Sequence, residues 1–471
     1  MPVSIPLQQF HQDATDAVAL DGRRAFIRDA LHGYENTRAQ TQTHFNNWEL
    51  ARIAAAKVKW EAIEHLDQYL EQFADNLEKR GVKVYFAATA KDAVDYIRWV
   101  CASREAKSIV KSKTMTSEEI HLNKALEAEG FEVVESDLGE FIVQLNDEAP
   151  YHFVFPSMHL KRGEIRKLFA EQLELLPEEQ DKDDPELLTM IARRVLRQQY
   201  LKADVGISGA NFGVAETGMI SITENEGNAR LTTALPKVHI ALMGIEKVIP
   251  RLEDLALFLP MLSTAGTGQH LTGYNSVLGG PRQEGEPDGP EEMHVVLLDN
   301  HRTDLLADPE QRDALRCIRC GACLNVCPIF KNVGGFSYGT TYQGPIGSVI
   351  TPHLRGLKDW AHLSAASSLC GACTATCPVR IDLHHHLLRN RRNAFEAKPK
   401  LFERIAFAGY RATMQHGPLY KIASYFRGAP NWLPKSLRGT WIDPAKAWRE
   451  KRELPDKPDK TFKDYWKDRK S

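Results

Sequence analysis

Seven of the eight cysteines in this 471-residue chain fall in two short runs, Cys317-x2-Cys320-x2-Cys323-x3-Cys327-Pro328 and Cys370-x2-Cys373-x3-Cys377-Pro378. The first run reproduces the bacterial ferredoxin pattern, in which closely spaced thiolates converge on one cubane and the cysteine before the proline ligates the other. That crossover assigns Cys317, Cys320, Cys323 and Cys377 to one iron–sulfur cluster, and Cys327, Cys370 and Cys373 to a second. The second cluster is one cysteine short. Ser367 stands where its first ligand would be; a serine alkoxide, a water or hydroxide, another side chain, or a vacant corner leaving a three-iron cluster all fit. Paired Cys-x2-Cys motifs also bind zinc, but zinc knuckles do not call for two runs that each close on x3-Cys-Pro. Disulfides of a small secreted domain would not cluster this way in so long a chain.

Length and composition fit a cytoplasmic protein that carries such clusters. The chain can hold two or three domains with real cores, and its 43% hydrophobic and 26% charged residues argue against a disordered body. The start, Met1-Pro-Val-Ser-Ile-Pro-Leu-Gln8, lacks the basic and apolar regions of a signal peptide. No apolar run approaches the ~20 residues that span a bilayer. The net charge of −2 is uneven, because residues 381–471 carry 21 Lys and Arg against 10 Asp and Glu. Positive residues alternate with Asp and Pro between Glu450 and Asp468 and no nucleic-acid motif accompanies them. A solvated face or a contact with a partner subunit therefore suits this tail better than nucleic acid, with peripheral contact to an anionic membrane a minor option.

Residues 1–80 read as helical, with apolar residues at three- and four-residue intervals from Trp48 to Leu77 and a stop at Gly81. The texture then alternates: a strand at Val82–Phe86, a helix at Lys91–Cys101 introduced by Thr89, a strand at Ala106–Val110, a helix at Ser117–Glu129 stopped by Gly130, and a strand at Glu132–Glu135. Such βαβ units predict a mostly parallel sheet. A helical stretch from Gly163 to Tyr200, interrupted by an acidic loop at Glu178–Asp184, leads to strands at Asp204–Ile207, Gly218–Thr223 and Lys237–Met243. A helix at Ile249–Leu259, a Gly/Pro-rich loop at Tyr274–Glu292 and a last strand at His294–Asp299 complete this half. The expected division is a helical region (1–80), an α/β domain (81–300), an α-helical, ferredoxin-like two-cluster domain (301–390) with helices in Ser348–Leu369, and a helical, basic C-terminal region (391–471).

Other residues invite a ligand. Lys111-Ser112-Lys113 follows the second strand, where ammonium groups and backbone donors hold anions, and His159 is near enough in sequence to a helix start to join it. Asn211, Glu216, Thr217 and Asn228 crowd two strand ends, where α/β sheets bind ligands; turn residues satisfying loop backbone are the plainer reading. Gly206, Gly209 and Gly213 do not form the dinucleotide fingerprint. His384, His385 and His386 are adjacent on a helix and point in different directions, which makes them surface residues with at most one near a cluster. Cys101 reads as a buried packing residue. No catalytic residue and no flavin motif is identifiable.

Taken together, Ala215-Glu-Thr-Gly-Met-Ile-Ser-Ile222, the motif Arg316–Pro328, the linker Tyr338–Gly347 and Leu369–Val379 resemble the iron–sulfur protein B family of the bacterial L-lactate utilisation system. The resemblance covers nearly the whole chain and includes the seven-cysteine frame. It implies an N-terminal α/β fold like the sugar-isomerase and CoA-transferase group, two [4Fe–4S] clusters despite the missing cysteine, and work with partner proteins A and C in oxidising L-lactate to pyruvate. The chain would then be a subunit of an oxidoreductase rather than a complete enzyme. Two other classes fit the residues: an enzyme whose three-cysteine cluster binds substrate at an open iron, as in hydro-lyases, and a redox-sensing cluster module.

Overall fold

The computed structural model describes residues 5–179, 184–398, 401–425, 433–443, 445–449, 452 and 459–469, so residues 1–4 of the start, 180–183 of the acidic loop, and 450, 451 and 453–458 of the tail lie outside the described residues. It divides into two compact units, Met1–Ala394 and Phe395–Ser471.

The first unit opens with four helices, α1 (Ile5–Ala19), α2 (Asp21–Gln42), α3 (Trp48–Glu64) and α4 (Leu66–Glu78). Asn47 starts α3 by accepting the Leu50 amide, and the helical run expected over Trp48–Leu77 divides at His65. Next come β1 (Lys83–Ala87), α5 (Ala90–Ser103), β2 (Ser108–Lys111), α6 (Met115–Glu119), α7 (Leu122–Glu127), β3 (Glu132–Glu135), α8 (Leu138–Leu145), α9 (Arg162–Gln172) and α10 (Pro185–Lys202). Thr89 caps α5 in a capping box with Asp92, as its position predicts. The single helix expected at Ser117–Glu129 is instead two, because His121 takes a left-handed conformation (φ 53°) between α6 and α7. The chain continues through β4 (Val205–Gly209), β5 (Phe212–Val214), β6 (Met219–Glu224), α11 (Asn228–Ala234), β7 (Val238–Gly244), β8 (Val248–Ile249), α12 (Leu255–Thr267), β9 (Tyr274–Leu278) and β10 (Glu292–Leu298).

Six strands form one wholly parallel sheet in the order β1-β10-β7-β4-β2-β3. Its central strands are covered on both faces, so they read as near-continuous apolar runs. Val238, Ile240 and Leu242 of β7 pack toward α5 and α7, while Ala241 and Met243 pack toward α4 and the second sheet. That sheet, β8-β5-β6-β9, corrects three expectations. The Gly218–Thr223 strand pairs antiparallel with β5 and β9 rather than joining the parallel sheet. The first five residues of the expected loop at 274–292 are β9. Ile249, expected to begin a helix, is extended in β8 because it precedes Pro250, and the helix starts at Leu255.

After β10 the chain is helical: α13 (Arg302–Ala307), α14 (Ala322–Asn325), α15 (Pro328–Val333), α16 (Gly344–Arg355), α17 (Leu357–Ala365), α18 (Ala372–Thr376) and α19 (Leu383–Ala397). One apolar core joins these helices to α1, α2, α3 and α12. In the second unit α20 (Leu401–Gln415) packs on α21 (Gly417–Tyr425), and α22 (Lys446–Arg449) and α23 (Phe462–Asp468) come after them, so the C-terminal region is helical as expected. No helix among the described residues is long and apolar enough to cross a membrane.

A buried ionic network ties the sheet to the cysteine region. Arg302, 1% exposed, donates to both oxygens of Glu119 (2.9 and 2.8 Å) and to Glu246 Oε2 (2.6 Å). Glu246 Oε1 in turn accepts from Arg319 Nη2 (3.0 Å), and the Tyr342 hydroxyl donates to Glu119 (2.6 Å). Gly244 is required here, because a Cβ would lie 2.0 Å from Glu246 Oε2. Removing one partner of such a network strands the others. Arg302→Met is expected to lower unfolding free energy by about 3–5 kcal/mol in urea titration, whereas Lys202→Ala, which breaks an exposed pair with Glu132, should cost less than about 1 kcal/mol.

Candidate iron–sulfur centre

The two cysteine loops share one backbone design. Arg319 (φ 59°) and Leu369 (φ 55°) are left-handed before Cys320 and Cys370, and Gly321 (φ 79°) and Gly371 (φ 80°) are left-handed after them. Each glycine starts a short helix, α14 or α18, that carries the next cysteine inward. The two Cys-Pro steps lead into different backbone: Cys327 caps α15, its sulfur accepting the Phe330 amide at 3.5 Å, while the Cys377 sulfur accepts the Ile381 amide at 3.3 Å. A third amide, Arg319 N–H, points at the Cys317 sulfur at 3.4 Å. Hydrogen bonds of this kind tune the potential of a cluster held by the sulfurs.

Mutual electrostatic influence sorts the seven thiols. Cys320 feels Cys317 and Cys377, Cys323 feels Cys317 and Cys320, and Cys377 feels Cys317. Cys327 feels Cys370, and Cys373 feels both. Cys323 also feels Cys373 of the other group. Burial pushes the Cys377 thiol up to about 11 and the Cys373 thiol to about 12, so loading with metal must displace protons. Five of the seven are buried, Cys317 is intermediate and Cys370 is exposed.

These residues fit a cluster and do not fit zinc. A tetrahedral zinc with bonds of about 2.3 Å needs thiolates roughly 3.8 Å apart, but among the described residues no three cysteine sulfurs lie within 4.8 Å of one another. The Arg38 guanidinium of α2 lies near Cys320, and its Nε and Nη1 are buried without a protein acceptor. Such donors suit the anionic sulfide face of a cluster. Arg52 fixes the second loop by donating to the carbonyls of Cys377 (2.9 Å) and Thr374 (3.4 Å). Ser367 is half-buried; its hydroxyl oxygen accepts the Leu369 amide at 3.2 Å and Arg391 donates to its carbonyl at 2.8 Å.

The other expected site residues separate. Ser112, Lys113, Asn211 and Asn228 line one cavity with Lys247, Arg319 and Cys320. Lys111 does not join them: fully buried, it is bound to Glu135 (2.7 Å), Glu118 (3.1 Å) and the Ser117 hydroxyl (2.8 Å). Burial opposes its charge, but those two carboxylates hold it protonated. His159 is buried against Tyr151 and Phe336 and paired with Glu148 (2.9 Å). Glu216 accepts the Leu252 amide and Thr217 accepts from Arg80 through its carbonyl, away from the cavity. The three glycines are packing positions, since a Cβ at Gly206 would meet Thr232 O at 1.9 Å, one at Gly209 Thr114 Oγ1 at 2.7 Å and one at Gly213 Phe73 Cζ at 2.7 Å. Among the histidines, His385 is exposed, His384 contacts Thr374 of the second loop (2.7 Å), and His386 is buried against Asp313 (2.5 Å), which corrects its placement at the surface. Cys101 is fully buried and its thiol is pushed up to about 12 by burial, as a packing residue should be.

Residues 70–298 match the LUD domain and residues 313–381 match the 4Fe-4S dicluster domain. Lactate utilization protein B of Anoxybacillus flavithermus is 43% identical, with 100% of this chain and 99% of the relative covered. The Bacillus subtilis protein of the same name is 40% identical over 100% and 98%. The chain belongs to the lactate utilization protein B family. A crystal structure of a DUF162 family protein from Deinococcus radiodurans aligns over 50% of this chain and 98% of its own length, with 13% identity and a TM-score of 0.28.

In this member of the lactate utilization protein B family, local sequence reading missed Arg38, Lys247 and the Arg302–Glu119–Glu246–Arg319 network. Lys247 carried the only available signal, because it follows a strand end as Lys113 does. The loops also differ in what surrounds their glycines. A Cβ at Gly321 would lie 2.7 Å from Val154 Cγ2 and 3.1 Å from His152 Cε1, whereas one at Gly371 meets nothing within 4 Å. Gly321→Ala should therefore reduce iron content and cluster absorbance well below wild type after anaerobic reconstitution, and Gly371→Ala, which carries only the left-handed strain of about 1 kcal/mol, should reduce them less.

Proposed function

We propose that the chain is the iron–sulfur electron-transfer component of a multi-protein system that oxidises L-lactate to pyruvate. The observation that carries this reading is the match of residues 313–381 to the 4Fe-4S dicluster domain, over two cysteine loops of the same backbone design. In this reading Cys317, Cys320, Cys323 and Cys377 hold one [4Fe–4S] cluster, and Cys327, Cys370 and Cys373 hold the other. When bound, such clusters supply one-electron carriers, which suits a chain that splits the electron pair released by lactate. The family name supports lactate as the source of electrons, and partner proteins A and C would supply the remaining chemistry. The α/β region would serve as a sugar-isomerase or CoA-transferase-like scaffold, and the basic C-terminal region as a docking face for a partner or, peripherally, a membrane.

Exposure gives the relay a direction. The four-cysteine group lies against α2 and α12, with Cys320 O only 2.7 Å from a Cβ built on Gly266, while Cys370 of the three-cysteine group is exposed. The four-cysteine group would face the α/β region, and Cys370 of the other group would face an acceptor. That exposure also favours a second reading, in which the three-cysteine cluster binds substrate at an open corner beside Ser367.

Both readings are testable by ligand substitution. If the ligands cross, Cys377→Ala should behave like Cys320→Ala rather than like Cys373→Ala, each variant dropping from about eight iron atoms to about four. Paramagnetic resonance would then show loss of the same cluster in Cys320→Ala and Cys377→Ala. Lactate-dependent acceptor reduction with the partner proteins should be abolished in Cys320→Ala; undiminished reduction would refute the relay. Cluster spectra of the isolated protein that shift on adding L-lactate, and no longer do so in Ser367→Ala, would favour the open corner instead.

A further inference from the structure

We propose that the cavity where the C-terminal ends of β2, β4 and β7 meet the first cysteine loop is a binding site for a small monocarboxylate of the 2-hydroxy or 2-oxo acid class. The choice of these acids rests on the lactate reading above; the anion site itself does not.

The cavity has a volume of about 330 Å³, within the range of small-molecule sites. It lies at the carboxyl ends of adjacent parallel strands, where open α/β sheets bind ligands. Lys113 follows β2, Ala210 and Asn211 follow β4, and Lys247 follows β7, while Arg319 and Cys320 close the far side.

The cationic groups around the cavity have more donors than acceptors. Lys113 Nζ donates to Val154 O (2.6 Å) and Lys247 Nζ to Ala210 O (2.8 Å). Neither has a carboxylate within ion-pair distance among the described residues, and an ammonium has three donors to place. Arg319 commits Nη2 to Glu246 and leaves its Nη1 buried without an acceptor. Three acids also line the cavity: Asp137 accepts from the Glu140 amide, Glu226 from Leu138, and Glu224 from Ala229 and Arg230, and burial, with Asp137 nearby, pushes the Glu226 carboxyl up to about 7. The cavity therefore sets spare donors on Lys113, Lys247 and Arg319 beside the carboxylates of Asp137, Glu224 and Glu226, a lining that can hold a ligand's carboxylate on the donors and its 2-hydroxyl on an acceptor.

Its shape favours carboxylate over phosphate. Phosphate sites use glycine loops that bring backbone amides to the ligand, but the space above Gly209 is filled by Thr114. Phe153, Ile222 and Leu262 supply an apolar wall suited to a methyl group.

The test is calorimetric titration of the cluster-loaded protein, under anaerobic conditions, with L-lactate, pyruvate and inorganic phosphate. Saturable binding of at least one of the acids, tighter than phosphate and weakened about tenfold or more in Lys113→Met and in Lys247→Met, is expected, with iron content and the resonance spectrum unchanged. No saturable binding of either acid, binding that survives both substitutions, or tighter binding of phosphate would overturn the proposal. Lys113 is half-buried and held by one backbone carbonyl, so its variant remains informative if Lys247→Met does not fold. The relay reading fails separately, if lactate and the partner proteins leave the clusters of the same preparation oxidised.

Discussion

The buried Arg302–Glu119–Glu246–Arg319 network is the constraint on which the rest of the architecture depends. Glu246 lies just beyond β7, Glu119 ends α6, Arg302 begins α13 and Arg319 stands inside the first cysteine loop. Burying these charges is costly unless every partner is in place, so the network tolerates one arrangement of sheet, helix and loop. Burial opposes the Glu246 carboxylate, yet Arg302 and Arg319 hold it down to about 2, so the network stays charged across any physiological pH. Its consequence is geometric: the left-handed residue before Cys320 is anchored to the end of the parallel sheet.

The cysteine region is correspondingly not an appended module. Its apolar residues share one core with α1, α2, α3 and α12, and Asn325, between Cys323 and Cys327, bridges His152 (3.1 Å) and the carbonyl of Gly266 (3.3 Å). The second loop has lighter support, from Arg52 and His384 at its edge. Two loops with the same backbone angles thus sit in different surroundings, one enclosed and one near solvent.

How much of this could be read in the sequence depended on the range of each interaction. The cysteine spacing, the Thr89 cap and the apolar runs of β7 and β10 are local signals, and they located the iron–sulfur loops, α5 and the centre of the sheet. The second sheet was hidden because β5 has three residues and β8 has two, too few to show a period. His121 concealed a break in an otherwise helical pattern. In the site, Lys111 and Lys113 are separated by a single residue yet have opposite fates: β2 ends at Lys111, which turns into the acidic interior, and Lys113 lies beyond the strand at the cavity. Arg302 and Glu119 are 183 positions apart, and no local pattern announces such a pair.

The exposure of Cys370 has a further meaning. A cysteine at the surface is open to oxygen, and accessible cysteines are the first to climb the oxidation ladder. Cys327 and Cys373 are buried in the core, as Cys320, Cys323 and Cys377 are; Cys370 has only what docks over it. A protein seated on that face would act as a seal as well as an acceptor, and the chain by itself would age from that corner inward.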